Sequence, residues 1–238
     1  MSTKTSEERL QELKVTLGDD LGEAVYWLDN AITNAYVELK IFHGLFVHSP
    51  KRVDVLNEAS GLVAMYASKA LWDSLCMALC RLTDPRRTAG HPNLCLESLA
   101  IHFDDHCRGE FNDTLAEAKE AATKFRERRN KVLAHADEGI ALRIDALEGS
   151  SYIEAKNCLD KIAACMNVVH SKFLESTTMY DLAVLGPNDE RAFLKRIYLG
   201  NRFEAENSDA LKSALEARDF NEVERLRKLV EVPDWVLS

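Results

Sequence analysis

A regular spacing of apolar residues between positions 111 and 136 constrains the fold of this chain more than any other feature. Steps of four and three alternate there, as one face of an amphipathic helix requires, at Phe111, Leu115, Ala118, Ala122, Phe125, Val132 and Ala136. Arg129 occupies the slot between Phe125 and Val132 that this spacing reserves for an apolar side chain. Because an unpaired guanidinium in a packed seam costs on the order of several kcal/mol, Arg129 should pair with an acid or face a wet cleft.

Three further long segments have helical spacing and complete the architecture. Apolar residues recur at helical intervals over 21–46 and over 152–173, and Ser49-Pro50 is typical of a helix start between segments. Segment 62–82 is apolar nearly all round, which predicts a central, buried helix. Together with the helix predicted over 108–136, these segments predict an all-α fold, an up-and-down four-helix bundle with additional short helices.

The clearest domain boundary is Gly186-Pro187-Asn188. We expect a helical bundle over 1–185 and a small C-terminal helical extension over 186–238, packed on the bundle. Glycine and proline punctuation predicts two or three short helices in the extension, near 189–199, 208–217 and 219–230.

The chain has a negative net charge, but the segment 119–131 is basic. A net charge of −9 excludes a chain coated with nucleic-acid-binding charge. Between Lys119 and Lys131, however, six basic residues outnumber two acidic ones. These charges either form a solvated helix surface with pairs four residues apart or attract an anion.

The polar, mixed-charge N-terminus lacks the apolar region of a signal peptide. No run approaches the roughly 18 uninterrupted apolar residues of a membrane span. The six cysteines sit at positions typical of small core residues with reduced thiols. We therefore expect a cytoplasmic protein without a membrane segment.

Near the end of the 108–136 helix, an arginine and a histidine bring together two groups suited to phosphodiester chemistry. Arg129 is a permanently charged phosphate ligand, and His135 has an ordinary pKa near 6.5, suited to proton transfer. Arg129-Asn130, four further residues and His135 resemble the signature of the HEPN superfamily. The strings RRNKVLAHAD at 128–137 and ALCRLTDP at 78–85 are similar to the abortive-infection, U-type HEPN-like family of bacteria.

This resemblance implies a metal-independent endoribonuclease that acts as a toxin in anti-phage abortive infection or a toxin–antitoxin system. His135 would transfer protons, Arg129 would position and stabilise the phosphate, Asn130 would orient either group, and Asp137 would be a weaker partner of the imidazole. The family pattern also implies a homodimer through the helix containing 108–136, with two arginines and two histidines in one cleft. An antitoxin protein would be a further partner. RNA would be held by the surrounding basic side chains, Arg128, Lys131, Arg126 and Lys124.

Several alternatives stay open from the sequence alone. On an ideal helix Arg128, seven residues before His135, shares its face better than Arg129 does. Arg129 could instead pair with a buried carboxylate such as Asp73, and the chain could be a non-catalytic module that binds a nucleotide, RNA or a partner protein. His102, His106 and Cys107 form at most half of a metal site, so we expect neither a metal nor a cofactor.

Overall fold

The computed structural model describes residues 5–105, 107–133, 149–182 and 186–232. These residues are almost entirely helical, and strand is limited to one antiparallel pair of two-residue segments, Arg87–Thr88 (β1) and His91–Pro92 (β2). The predicted all-α class is therefore confirmed.

The N-terminal half contains three helices. Helix α1 (Ser6–Leu17) begins at a capping box, in which the Thr5 hydroxyl accepts from the Glu8 backbone N–H and the Glu8 side chain accepts from the Thr5 N–H. Helix α2 (Asp19–Phe42) continues into a π-helical turn, His43–Val47. Helix α3 (Pro50–Thr83) starts at the predicted proline and contains one non-helical residue, Ser60.

The second half begins with a short 3-10 helix, Leu96–His102. Helices α4 (Arg108–Ala121) and α5 (Thr123–Arg128) follow, and a π-helical turn spans Arg129–Leu133. Helix α6 (Tyr152–Leu174) and a 3-10 turn, Tyr180–Leu182, come next. The last two helices are α7 (Glu190–Glu216) and α8 (Phe220–Leu229).

The chain divides into two compact units, and the division differs from the predicted domains in one respect. The first unit comprises Met1–His43 and Ala67–Leu185, and the second comprises Gly44–Tyr66 and Gly186–Ser238. The expected boundary at residue 186 coincides with a unit boundary, but residues 44–66, which we assigned to the bundle, group with the C-terminal segment. Helix α3 thus contributes its first half to the second unit and its second half to the first.

The core of the first unit is built from the helical faces that the sequence predicted. Along α4 and α5 the seam is fully buried through Phe125, and along α6 the buried face runs from Ala155 to Val169. The C-terminal part of α3 and one face of α2 supply the remaining walls of this core. Four long helical segments therefore surround one apolar core, as expected for a four-helix bundle.

The prediction that 62–82 forms a central, buried helix is wrong for its first part. Leu62, Val63, Met65 and Tyr66 are each more than half exposed, whereas Leu75 and Leu79 are completely buried. The apolar composition of the segment is uniform along its length, so only the presence or absence of packing neighbours separates the two parts.

Helix α3 is relevant to the prediction that the chain has no membrane span. That prediction was based on the lack of a long uninterrupted apolar run. By length and average composition this one helix could cross a membrane, with an 18-residue window of mean hydropathy 1.2, of which 22% is buried. One such helix is weak evidence, because core helices of globular proteins have the same composition. The cytoplasmic location stays a prediction.

In the second unit, the expected break near Gly200 is absent. A single helix, α7, spans Glu190–Glu216 where two were predicted. Nothing lies within 4 Å of the position a Cβ at Gly200 would take, so this glycine serves no close approach of other atoms. The side chain of Asn201 donates to the Val55 carbonyl at 2.9 Å, which joins α7 to the first part of α3.

Candidate functional site

The backbone around Arg129 departs from an ideal α-helix. Helix α4 ends before Ala122 (φ −81°, ψ −4°), α5 runs to Arg128, and the chain then widens to the π-helical turn. Isolated π-turns within helices occur frequently at functional sites. They also change the number of residues per turn, so the ideal-helix argument that favoured Arg128 over Arg129 does not apply across this segment.

Arg129 is held by a carboxylate from the end of α3. Its Nη1 donates to both carboxylate oxygens of Asp84, at 2.7 Å each, and its Nε donates to the Asn130 side-chain oxygen at 3.1 Å. The two ionic side chains are 20% and 19% exposed. The pKa of Arg129 is raised, chiefly by the hydrogen bond to Asp84. The guanidinium therefore has a fixed position at the edge of the core, and neither contact uses its Nη2.

Asp73 forms its ion pair with the neighbouring Arg128 and not with Arg129. Arg128 Nη2 donates to one Asp73 oxygen at 2.7 Å, and Lys69 Nζ donates to the other at 2.6 Å. Burial opposes ionisation of Asp73, but the two cations prevail and lower its pKa. The carboxylate pairing considered for Arg129 thus exists, with Asp84 in place of Asp73.

Most of the other predicted RNA-binding side chains also have partners within the protein. Lys124 pairs with Glu154 at 2.7 Å, and Arg126 donates to the backbone oxygen and hydroxyl of Thr83. Lys131 is exposed and has no ion pair in the part of the chain that the structure describes. Their roles in RNA binding stay predictions, but much of the positive charge of this surface is already compensated.

The proton-transfer half of the predicted site lies outside the described residues. His135 and Asp137 both fall within 134–148, so no distance from either residue to Arg129 can be given. Val132, which the predicted seam would bury, is 37% exposed. The fully buried part of the seam therefore ends at Phe125, although Leu133 still packs partly against the core. Asn130 and Lys131 are exposed, and Arg129 lies at the edge of the core.

A second histidine, which the sequence analysis did not single out, is buried in a polar network. His170 Nε2 lies 2.8 Å from Asp29 and its Nδ1 lies 3.0 Å from the Thr178 hydroxyl, while the Tyr180 hydroxyl also donates to Asp29. His170 is only 2% exposed. A substrate has no access to this imidazole, so the network serves to attach the segment 176–182 to α2 and α6.

The described residues contain no cluster of histidine, cysteine, aspartate and glutamate that could hold a metal ion. Of the proposed half-site, His106 lies outside them. All six cysteines are free. Burial raises the pKa of Cys76 and of Cys158 to about 12 and that of Cys80 to about 11, so these thiols stay protonated and are not nucleophiles.

Asp84 is the site residue that the sequence reasoning missed. It lies within the segment ALCRLTDP that resembled a family motif, but no role was assigned to it. Its ion pair joins this segment to the segment RRNKVLAHAD, so the two strings that carried the resemblance meet in space at Arg129. An aspartate within the shorter string was the available signal.

Comparison with known proteins agrees with these motifs. The model of the HEPN_AbiU2 family, described as AbiU2, matches residues 18–192. No curated protein and no solved structure matches the chain. The matched region contains both strings described above and covers well over half of the chain. The chain therefore belongs to the AbiU2 family of HEPN-like abortive-infection proteins.

Proposed function

We propose that this protein is a metal-independent endoribonuclease that acts as the toxic component of an abortive-infection or toxin–antitoxin system. The observation that carries the proposal is the ion pair of Arg129 with Asp84, which fixes a partly exposed guanidinium at the edge of the core, six residues before His135. The family match supplies the biological setting.

Metal-independent RNA cleavage requires three chemical steps at one phosphodiester. A base takes the proton of the ribose 2′-hydroxyl, whose oxygen attacks phosphorus; the crowded, charged intermediate is stabilised; and an acid gives a proton to the departing 5′-oxygen. The products are a 2′,3′-cyclic phosphate and a free 5′-hydroxyl. In the proposal Arg129 stabilises the phosphorus-bound oxygens, His135 transfers the protons, and Asn130 orients the arginine through its contact with Nε.

The ion pair has a clear use in this scheme. A free arginine side chain samples many rotamers, and ordering it at the moment of binding costs conformational entropy. Asp84 orders the side chain in advance and raises its pKa, while Nη2 takes part in neither described contact. A pre-positioned donor stabilises developing negative charge without reorganising.

One Arg129 and one His135 do not supply both an acid and a base. We therefore propose, further, a two-fold symmetric homodimer through the helix containing 108–136, in which the two protomers share one cleft. Mixing Arg129→Ala and His135→Ala protomers should restore part of the cleavage that each variant lacks. Light scattering that detects only monomer at micromolar concentration contradicts the dimer.

The test of the catalytic proposal is cleavage of single-stranded RNA by purified protein. His135→Ala should lower the rate at least about 100-fold, as expected for loss of a general acid–base group, and EDTA should leave the rate unchanged. A His135→Ala variant that cleaves at the wild-type rate excludes this mechanism. Relief of toxicity by the same substitution in cells would tie the activity to defence, and a neutralising antitoxin protein remains part of the proposal.

A second candidate function is a non-catalytic module that binds a nucleotide, RNA or a partner protein. The same ion pair favours it, because a guanidinium whose Nη1 donates to both oxygens of a carboxylate also satisfies a purely structural role. The two candidates differ at His135: only the enzyme needs the imidazole. Binding that is unaffected by His135→Ala, together with no cleavage by either protein, identifies the module.

A further inference from the structure

The second unit contains a groove whose charge contrasts with that of the surface around Arg129. The groove has a volume of about 470 Å³ and is lined by the first turns of α3 and α7. This volume is typical of a binding site. Its lining residues are four cations, two aliphatic residues and one tyrosine, namely Lys51, Arg52, Arg191, Lys195, Val55, Leu194 and Tyr198.

The lining residues come from one face of α7 and from the start of α3, which together enclose the groove. Arg191, Lys195 and Tyr198 recur at steps of four and three along α7, which puts them on one face over about 10 Å at roughly 1.5 Å per residue. Lys51, Arg52 and Val55 come from the start of α3. The groove is therefore lined by four cations together with two aliphatic residues, Val55 and Leu194.

The positive charge of this groove is largely uncompensated. Lys51 and Lys195 have no hydrogen bond or ion pair within the described ranges of the chain. Arg52 donates to the Gly44 carbonyl at 2.6 Å, a contact that leaves its charge intact. Among the described residues Arg191 has an ion-pair contact, with 3.7 Å from its Nε to Glu190, and its side chain is 78% exposed, so the pair is weak. No acidic residue lines the groove.

We infer that this groove binds the phosphate backbone of single-stranded RNA and that Tyr198 stacks on a base. The inference rests on the proposed function, since it assigns a contact surface for the RNA substrate. A row of cations with an aromatic side chain is the combination that holds single strands without sequence preference. Tyr198 is 51% exposed, so its ring is accessible. A local row of four cations can attract phosphates although the chain carries a net charge of −9.

RNA is favoured over other anionic partners by the shape of the site. Arg191 and Lys195, four residues apart on α7, offer contacts for successive phosphates of a strand, and Tyr198 with the aliphatic residues accommodates a planar base. An anionic membrane or an acidic protein would need the cations but would gain little from a ring that stacks on bases. The effect of Tyr198 therefore separates RNA from these alternatives.

The test uses the full chain and a labelled 12-nucleotide 2′-O-methyl RNA, which cannot be cleaved because it lacks the attacking hydroxyl. Binding is followed by fluorescence anisotropy at several salt concentrations. Lys51→Glu combined with Lys195→Glu should weaken binding at least about 10-fold and reduce the slope of log affinity against log salt by about 1.4, at roughly 0.7 for each lost phosphate contact. Tyr198→Ala, which keeps the charge, should weaken binding about 10-fold through lost stacking.

The matched control is Lys212→Glu combined with Lys228→Glu, which makes the same change in net charge on exposed lysines of the same unit that already pair with Asp209 and Glu224. This variant should bind RNA within about twofold of the wild type. Equal loss in both double variants would mean that only net charge matters and would overturn the groove assignment. So would an unaffected Tyr198→Ala variant, which would show that the groove attracts anions by charge alone and without stacking on a base.

Failure of this inference is distinguishable from failure of the proposed function. If the wild type cleaves RNA while the groove variants bind the 2′-O-methyl strand normally, the groove assignment is wrong and the nuclease proposal stands. If the groove variants lose binding but the wild type cleaves no RNA, the groove assignment stands and the nuclease proposal is wrong. Melting temperatures of the variants show whether each one is folded.

Discussion

Replacing Asp84 by asparagine tests the ion pair on which the candidate site depends. The substitution keeps the size of the side chain, removes its charge and leaves Arg129 with one weaker acceptor. Exposed ion pairs contribute about 0–1 kcal/mol, whereas breaking a fully buried pair costs about 3–5 kcal/mol. Since both side chains are about one-fifth exposed, and the amide still accepts one bond, we expect a loss of about 1–2 kcal/mol in the free energy of unfolding.

The matched control is Asp73→Asn, which breaks the corresponding pair of Arg128 and also the pair of Asp73 with Lys69, whose side chain is exposed and adds little. The pair with Arg128 is similarly exposed, at 26% and 16%, so its loss in stability should be similar, about 1–2 kcal/mol. Urea unfolding measures both changes, and each should appear as a fall of about 2–8 °C in melting temperature for a chain of this size. A change below about 0.5 kcal/mol in both variants would show that solvent screens these pairs.

The two variants should differ in activity although they match in stability. Without Asp84 the guanidinium of Arg129 is no longer held in position, and misplacement by about 1 Å is enough to lower a rate up to about 100-fold. We expect RNA cleavage to fall at least about 10-fold in Asp84→Asn and to stay within about threefold of the wild type in Asp73→Asn. The reverse order would refute the assignment and identify Arg128 as the phosphate ligand.

Two further predictions concern the scaffold. A Cβ at Gly22 would lie 2.6 Å from the Leu13 carbonyl, so Gly22→Ala should lower the free energy of unfolding by at least about 2 kcal/mol. Gly200 lies in open space within a helix, so Gly200→Ala should raise that free energy by about 0.5–1 kcal/mol. Urea unfolding measures both changes. Lys124 and Ser151 lower the pKa of Glu154 from 4.5 to about 2, so its ionised form stabilises the fold above pH 4.5 and this contribution disappears as the pH falls towards 2. The stability difference between wild type and Glu154→Gln should shrink over that range, and a constant difference would argue against the Lys124–Glu154 pair.

The sequence alone predicted much of the secondary structure and the family. Both depend on short stretches of neighbouring residues, namely the spacing of apolar side chains and short sequence motifs. The three-and-four spacing through Phe111, Leu115 and Phe125 predicted a helix with one buried face, and that face is buried. A proline at position 50 correctly placed the start of α3. The strings around Arg129 and Asp84 predicted the family that the comparison then confirmed.

The local sequence pattern was less informative about burial and helix ends, which depend on the helices packed nearby. Leu62 and Leu75 occur in one apolar helix, yet the first is exposed and the second is buried, because only the second has other helices against it. Glycine at position 200 was expected to end a helix. An isolated glycine costs only about 1 kcal/mol within a helix, and α7 continues through it.

The pairing at the candidate site was decided by the tertiary structure alone. Asp73 and Asp84 both lie on α3 or directly after it, and both are plausible partners for either arginine on sequence grounds. The folded chain gives Asp73 to Arg128 and Asp84 to Arg129. An ion pair requires atoms within a few ångström, and residues 45 positions apart reach that distance only when the helices that carry them pack together.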